Sequence, residues 1–328
     1  MLSLIAAALA ARSDEFFPKP GWREEPDPIA SPHAVRGGML RFSSAQPPKS
    51  LNYYVDSNTY TRQVFVLLYE TLLRVDPVTT EFIPGLACRW TISDDRLAFT
   101  FEIDPAAAWS DGRPVTADDV RWTFEQVMDP KSMTGPHKVA LGVFDPPEIL
   151  GPRTVRFRAK ENHWRNLLTA GGFEILPRHA FAGQDFNRLD FDNPVVSGPY
   201  TIESVKEQIE TRLKRRRDWW CDNRPSVRHT MNFDTLVFRY FAEDENAFEA
   251  FKKDQTDVFA VYISRLWANE TIGEKFDKNW IVKRLVHNHE PIGFQGFAMN
   301  MRRPPFDDLR VRQAMAHLVD RETMNRTM

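Results

Sequence analysis

Four groups of residues in this 328-residue chain could do chemistry by their type and spacing. His287-Asn288-His289 would place two imidazoles on one face of an extended segment, close enough to share a metal ion, with Glu290 adjacent. An isolated H-x-H is a weak signal, and solvated or core-packed histidines explain it more economically, so no metal ligand is assigned. Lys214-Arg215-Arg216-Arg217 beside Trp219-Trp220 has the makeup of a basic and aromatic nucleic-acid patch. However, 43 Lys and Arg against 45 Asp and Glu leave the chain close to neutral, whereas nucleic-acid binders are usually markedly basic. A solvated strand edge is the better account of that run. Asp118-Asp119 and Asp307-Asp308 are adjacent carboxylates, which serve as helix caps more readily than as an acid and a base. Cys88 and Cys221 could pair in an oxidising compartment or remain separate, mostly buried thiols. No G-x-S-x-G, H-E-x-x-H, P-loop or G-x-G-x-x-G phrase is present, so cues for a hydrolase are absent. No catalytic residue and no cofactor are expected.

The elements that must position these residues read more clearly. From Trp109 to Phe124 the chain spells a strand, a tight turn and a capped helix. Asp111-Gly112 supplies the turn, because Gly tolerates positive φ and Asp can bond its own downstream backbone. Thr116 is a good N-cap, and Asp119, three residues on, is its box-like partner and adds negative charge to the first turn. Val120, Phe124 and Val127 recur at i, i+4 and i+7, the buried stripe of an amphipathic helix. A helix is predicted over 61–73, with Val64, Leu67, Leu68, Thr71 and Leu72 on one side. Strands are predicted at 39–42, 97–103 and 280–286. Asp308 should cap a helix to Leu318, and Asp320 should open another.

Length and composition describe an ordered protein with two domains' worth of core: 42% of residues are hydrophobic and 12% aromatic. Residues 12–36 are rich in Pro and charge without periodicity, which reads as an extended arm lying on the body or remaining mobile. Residues 1–11 are apolar and small, and Ala8-Leu9-Ala10 has the form of a cleavage site. The run is too short to span a bilayer, so it reads as a signal-peptide remnant, with a buried hydrophobic N-terminus as the alternative. No Cys follows it. A periplasmic protein without a stable membrane anchor is expected.

Several phrases resemble those of the family 5 extracellular solute-binding proteins, the oligopeptide, dipeptide, nickel and microcin-type receptors of ABC importers. Trp109-Ser110-Asp111-Gly112-Arg113-Pro114-Val115-Thr116-Ala117-Asp118-Asp119-Val120 is similar to the family signature "W/F-S-D-G-x-P-x-T-A-x-D-V". Pro84-Gly85-Leu86-Ala87-Cys88-Arg89-Trp90 looks like "P-x-L-A-E-S-W", with Cys88 in place of the usual acid. Ser197-Gly198-Pro199-Tyr200, Arg217-Asp218-Trp219-Trp220 and Pro305-Phe306-Asp307-Asp308-Leu309-Arg310-Val311-Arg312-Gln313-Ala314 follow in the family's order. The "G-x-i-D" turn is met by Asp254-Gln255-Thr256-Asp257, where Gly-Glu is common. The Trp219-Trp220 pair, the long arm and the helix start after Val319 look most like the YejA-like microcin and oligopeptide branch.

The resemblance implies an α/β fold of the two-lobed, type II periplasmic-binding-protein kind. It places residues 37–60 and 183–290 in the first lobe, 61–182 in a small α+β subdomain, and 291–328 at the start of a second lobe that is mostly missing. A C-terminally truncated chain is expected on that basis. The resemblance also implies that a ligand lies between the lobes. It assigns Val55, Asp56, Ser57, Asn58, Thr59 and Tyr60 to the cleft wall, although an ordinary polar loop with Asn58 or Thr59 as a helix cap fits equally well. His137, Tyr262, Phe294 and Gln295 complete the implied ligand set. The implied function is capture of oligopeptides or peptide conjugates, including microcin-type and murein peptides, and delivery to a membrane permease, with no chemistry on the ligand. A monomer is expected, with no nucleic-acid partner. The alternatives are a nickel or other metal receptor of the same family, and a non-functional fragment.

Overall fold

The computed structural model describes residues 14–44, 49–188, 194–285, 296–320 and 322–323. Chain contacts divide it into two compact units, Met1–Phe259 and Ala260–Met328. The segment 183–290, expected within one lobe, straddles that division.

In the first unit the elements run β1 (Glu15–Phe17), β2 (Met39–Ser44), α1 (Thr59–Leu68), β3 (Leu73–Val75), β4 (Phe82–Pro84), β5 (Ala87–Ile92) and β6 (Ala98–Ile103). They continue with α2 (Ala117–Met128), α3 (Gly135–Leu141), β7 (Glu148–Gly151), β8 (Thr154–Arg158), α4 (Asn166–Gly171) and α5 (Arg178–Phe181). The unit closes with β9 (Tyr200–Lys206), β10 (Glu210–Arg215), β11 (Thr235–Tyr240) and α6 (Asp244–Lys252). One sheet has the order β1-β5-β6-β8-β7 and another β2-β11-β10-β9, with β3-β4 a separate ribbon. β2 pairs parallel to β11, Phe42 opposite Phe238, while β10 joins β11 and β9 antiparallel.

The helix α2 forms for the reasons its sequence gives. The Thr116 hydroxyl accepts the Asp119 N–H, and the Asp119 carboxylate accepts the Thr116 N–H at 2.9 Å, a complete capping box. Val120, Phe124 and Val127 are buried. Phe157 of β8 lies edge-on to Phe101, Phe124, Phe144 and Phe173, the aromatic centre of this core. Gly112, with φ of 82°, makes the turn ahead of the helix, and the Arg113 N–H returns to Asp111 at 3.1 Å.

The helix predicted over 61–73 is shorter and earlier. α1 ends at Leu68, and Tyr69 is extended at φ −126°, ψ 135°. Tertiary contacts override its propensity. The Glu70 N–H donates to Ser197 Oγ at 3.0 Å, and the Gly198 N–H takes the Leu68 carbonyl at 2.8 Å. The backbones approach so closely that a Cβ on Gly198 would sit 2.5 Å from the Leu67 carbonyl oxygen. Arg216 locks the same crossing: its Nη1 donates to the carbonyls of Val196, Ser197 and Gly198 at 3.1, 3.1 and 3.0 Å.

The basic run is divided, with Lys214 and Arg217 exposed and the other two arginines used by the fold. Arg216 is buried, and Arg215 holds Asp222 at 2.6 Å. Cys88 and Cys221 are both free thiols, and burial pushes Cys221 up to about 12. Asp254, where Gly is common in the resemblance, takes a left-handed φ of 62°, and Asp257 grips Arg41 at 2.7 Å.

The arm lies on the body. Its strand β1 pairs antiparallel with β5, Phe17 opposite Trp90, and the two rings stack at 5.4 Å. Further along, Glu24 accepts from Ser226, and Arg36 forms a two-pronged ion pair with Asp222 at 2.9 and 3.0 Å.

In the second unit, α7 (Ser264–Asn269), α8 (Glu274–Asp277) and α9 (Leu309–His317) are helical. Asp308 caps α9 by accepting the Arg310 N–H at 2.8 Å, and Asp320 accepts the Thr323 N–H at 2.9 Å. Residues 280–285, predicted as strand, form none; Trp280 instead closes α8 by donating its N–H to Lys275 at 2.9 Å.

Candidate functional site

The cleft-wall segment is built on an Asn-centred turn. Asn52 is buried; its Oδ1 accepts the Tyr54 N–H at 3.1 Å and its Nδ2 donates to the Phe186 carbonyl at 2.9 Å. The Val55 and Asp56 N–H groups return to the Asn52 carbonyl. Two of the named residues turn inward to hold this geometry. Asp56 Oδ2 accepts the N–H groups of Lys49 and Ser50 at 2.8 and 3.3 Å and the Thr61 hydroxyl at 3.0 Å. Asn58 caps α1, accepting the Tyr60 and Thr61 N–H groups at 3.0 and 2.8 Å. Val55 and Tyr60 are half-buried, while Ser57 and Thr59 are exposed.

The structure brings Ser57 and His137 together across 80 positions of sequence. Ser57 Oγ lies 3.0 Å from His137 Nε2, the donor following the imidazole tautomer, and also donates to the Tyr53 carbonyl at 3.2 Å. His137 sits on the first turn of α3 after Pro136, a residue suited to a helix start. Its ring stands edge-on to both Tyr53 and Tyr54, 5.0 Å from each centroid. Tyr54 is buried and donates its hydroxyl to the Glu174 carbonyl. Burial holds the His137 pKa below 6.5, against the Tyr53 backbone and with the help of the nearby Arg62 charge. His137 is thus neutral at neutral pH. Arg62 lies over the Tyr53 ring at 5.8 Å.

Tyr53, Tyr54 and Arg62 were not singled out from sequence. An adjacent Tyr pair, and an Arg four residues after a helix cap, were the available signals. Tyr262 is 91% exposed and belongs to the second unit. Phe294 and Gln295 lie outside the described residues, as do His287, His289 and Glu290. Among the described residues no cluster of three or more His, Cys, Asp or Glu could hold a metal. A separate cavity of about 400 Å³ is lined by Arg113, Pro114, Thr116, Asp118, Asp119, Arg178, His179 and Ala182, none of them named for the ligand. Its charges pair with one another or with the adjacent turn: Arg178 holds Asp118, and His179 Nε2 lies 2.7 Å from Asp111.

The arrangement pairs aromatic faces with a neutral His and Ser couple and one guanidinium. It is suited to holding a solute. Among the described residues no helix is long and apolar enough to cross a membrane.

Comparison with known proteins identifies the family. Residues 81–328 match the description of the bacterial extracellular solute-binding proteins, family 5. A binding protein of Brucella suis biovar 1 is 32% identical over 92% of this chain and 50% of its own length. YejA of Escherichia coli K12 is 29% identical over 91% and 49%, and the peptidoglycan-binding protein YepA of Agrobacterium fabrum 30% over 92% and 51%. The chain spans about half the length of these relatives. Among solved structures, NikZ of Campylobacter jejuni in complex with Ni(L-His) superposes with a TM-score of 0.66 at 22% identity, over 87% of this chain and 54% of that one. A dipeptide-binding protein of Pseudoalteromonas sp. SM9913 in complex with Met-Leu gives the same score and identity, over 87% and 58%. The fold is the mixed α/β fold of type II periplasmic binding proteins. With YejA-like relatives at about 30% identity and a match over most of its length, the chain belongs to the family 5 bacterial extracellular solute-binding proteins.

Proposed function

We propose that the protein is the periplasmic receptor of an ABC importer, capturing oligopeptides or peptide conjugates and passing them to a membrane permease without chemical change. The observation that carries this reading is the meeting of Ser57 and His137 between Tyr53 and Tyr54, because it joins two places that the family resemblance assigns to a ligand wall. Tyrosine faces accept varied side chains at small entropic cost, and an adaptable Ser–His pair serves backbone amides. Relatives named for peptide and peptidoglycan binding support the substrate class, murein peptides included. On this reading residues 37–60 belong to the first lobe, 61–182 form the small subdomain, and the receptor works as a monomer that closes over its ligand.

The test is to express the complete reading frame in the periplasm, denature the purified protein, and identify released small molecules by mass spectrometry. Peptides of narrow length range are expected, and His137→Ala should deplete them. Nickel or zinc without any organic ligand would overturn the peptide reading and promote His287 and His289.

A further inference from the structure

We infer that Arg62, with Ser57 and His137 beside Tyr53, forms a subsite for an anionic oxygen group of the ligand, so that acidic peptides are preferred over neutral ones. This rests on the peptide reading and specifies its substrate class.

Arg62 is exposed on the first turns of α1, its guanidinium carbon 5.8 Å from the Tyr53 ring centroid, and among the described residues it has no carboxylate partner. Other arginines of the first unit brace the fold through carboxylates: Arg36 and Arg215 with Asp222, Arg41 with Asp257, Arg178 with Asp118, Arg224 with Asp104. A guanidinium resting on an aromatic face keeps its planar fork of donors ready for a carboxylate or phosphate. His137 and Ser57, hydrogen-bonded to each other, share Tyr53 with it.

Two acids share the neighbourhood, Asp56 with one oxygen committed to the turn and Glu174 buried. The Oδ2 of Asp56 is occupied by two backbone N–H groups and the Thr61 hydroxyl. Glu174 is buried, 5% exposed, and burial raises its carboxyl pKa, with its own backbone and Arg62 opposing. A ligand ammonium would therefore meet a cation here, whereas a carboxylate would meet the Arg62 guanidinium.

The test uses the protein from its complete reading frame and four tetrapeptide probes: Ala-Glu-Ala-Ala and Ala-Gln-Ala-Ala, each with a free or an amidated C-terminus. Affinities are measured by calorimetry for wild type, Arg62→Gln and Arg62→Lys. Wild type should bind the best-matched anionic probe roughly fivefold to tenfold more tightly than its neutral counterpart. Arg62→Gln should abolish that ratio and leave the neutral, amidated probe within about twofold, while Arg62→Lys retains part of it. Dependence on the Glu side chain or on the C-terminus identifies which carboxylate is read. An unchanged ratio in Arg62→Gln overturns the anion subsite alone. Failure of wild type to bind any probe overturns the peptide reading and the subsite with it.

Discussion

Glu70 makes a contribution to stability that is lost as the pH rises. Its carboxylate accepts the Trp220 indole N–H at 2.8 Å, at the crossing where α1 gives way to β3. Burial pushes its carboxyl from 4.5 up to about 7, with the Trp220 bond and the charges of Arg74 and Arg216 opposing. The native state therefore keeps a proton between pH 4.5 and 7 that the unfolded chain has already lost. Stability from this group is fully present below 4.5, falls as pH rises to about 7, and is level above. A carboxyl displaced that far corresponds to at most about 3 kcal/mol. Glu70→Gln keeps an acceptor for the indole and removes the titration. Urea unfolding followed by tryptophan fluorescence at pH 5, 6, 7 and 8 should show wild type losing about 2–3 kcal/mol relative to the variant across that range. His137 works in the opposite direction, since burial lowers its pKa and its stability contribution is lost as pH falls below 6.5. Because His137 is common to both proteins, the difference between the two curves isolates Glu70. Parallel curves, within about 0.5 kcal/mol at every pH, would refute the reasoning.

Other substitutions probe the same architecture. Gly198→Ala forces a Cβ against the Leu67 carbonyl and should cost about 2 kcal/mol in urea unfolding, more than an alanine at an open turn. Arg216→Met orphans the Ser197 and Gly198 carbonyls, Val196 keeping the Ser110 N–H, and should cost about 3 kcal/mol, read as a drop in thermal midpoint. Thr116→Ala removes the capping box and should cost about 1 kcal/mol, with hydrogen exchange rising first at the start of α2. Phe17→Ala should release β1, lowering exchange protection at Trp90 and Ile92 while leaving the β6–β8 pairing unchanged.

What could be read from sequence was local. The box at Thr116 and Asp119, the turn at Gly112 and the cap at Asp308 each rest on residues within a few positions of one another, and the structure shows them formed. The contacts that shape the wall are distant in the chain. Nothing near Leu68 says that α1 ends there, because the reason is Ser197 and Gly198. Asp56 has the chemistry of a ligand contact, but its partners Lys49, Ser50 and Thr61 are fixed by how the turn closes. Arg62 reads as an ordinary helix surface cation until Tyr53 and His137 are placed beside it. The pairing of β1 with β5 joins a stretch of Pro and charge to a strand more than seventy positions away, and no periodicity marks it.

The arm also carries a consequence for the order of assembly. Its β1 strand covers the outer edge of β5, which would otherwise offer unpaired backbone groups to another chain. Its far end is tied to Asp222, 186 residues on. Such a tie can close only after the intervening chain exists and has largely collapsed, since the loop entropy must be offset by contacts already made. The far end of the arm, synthesised early, is thus among the last contacts to close, whereas β1 needs only β5 to pair. Until β1 is seated, the β5 edge is exposed, and that interval is when the nascent protein is most open to holding chaperones and to mispairing with a neighbouring copy.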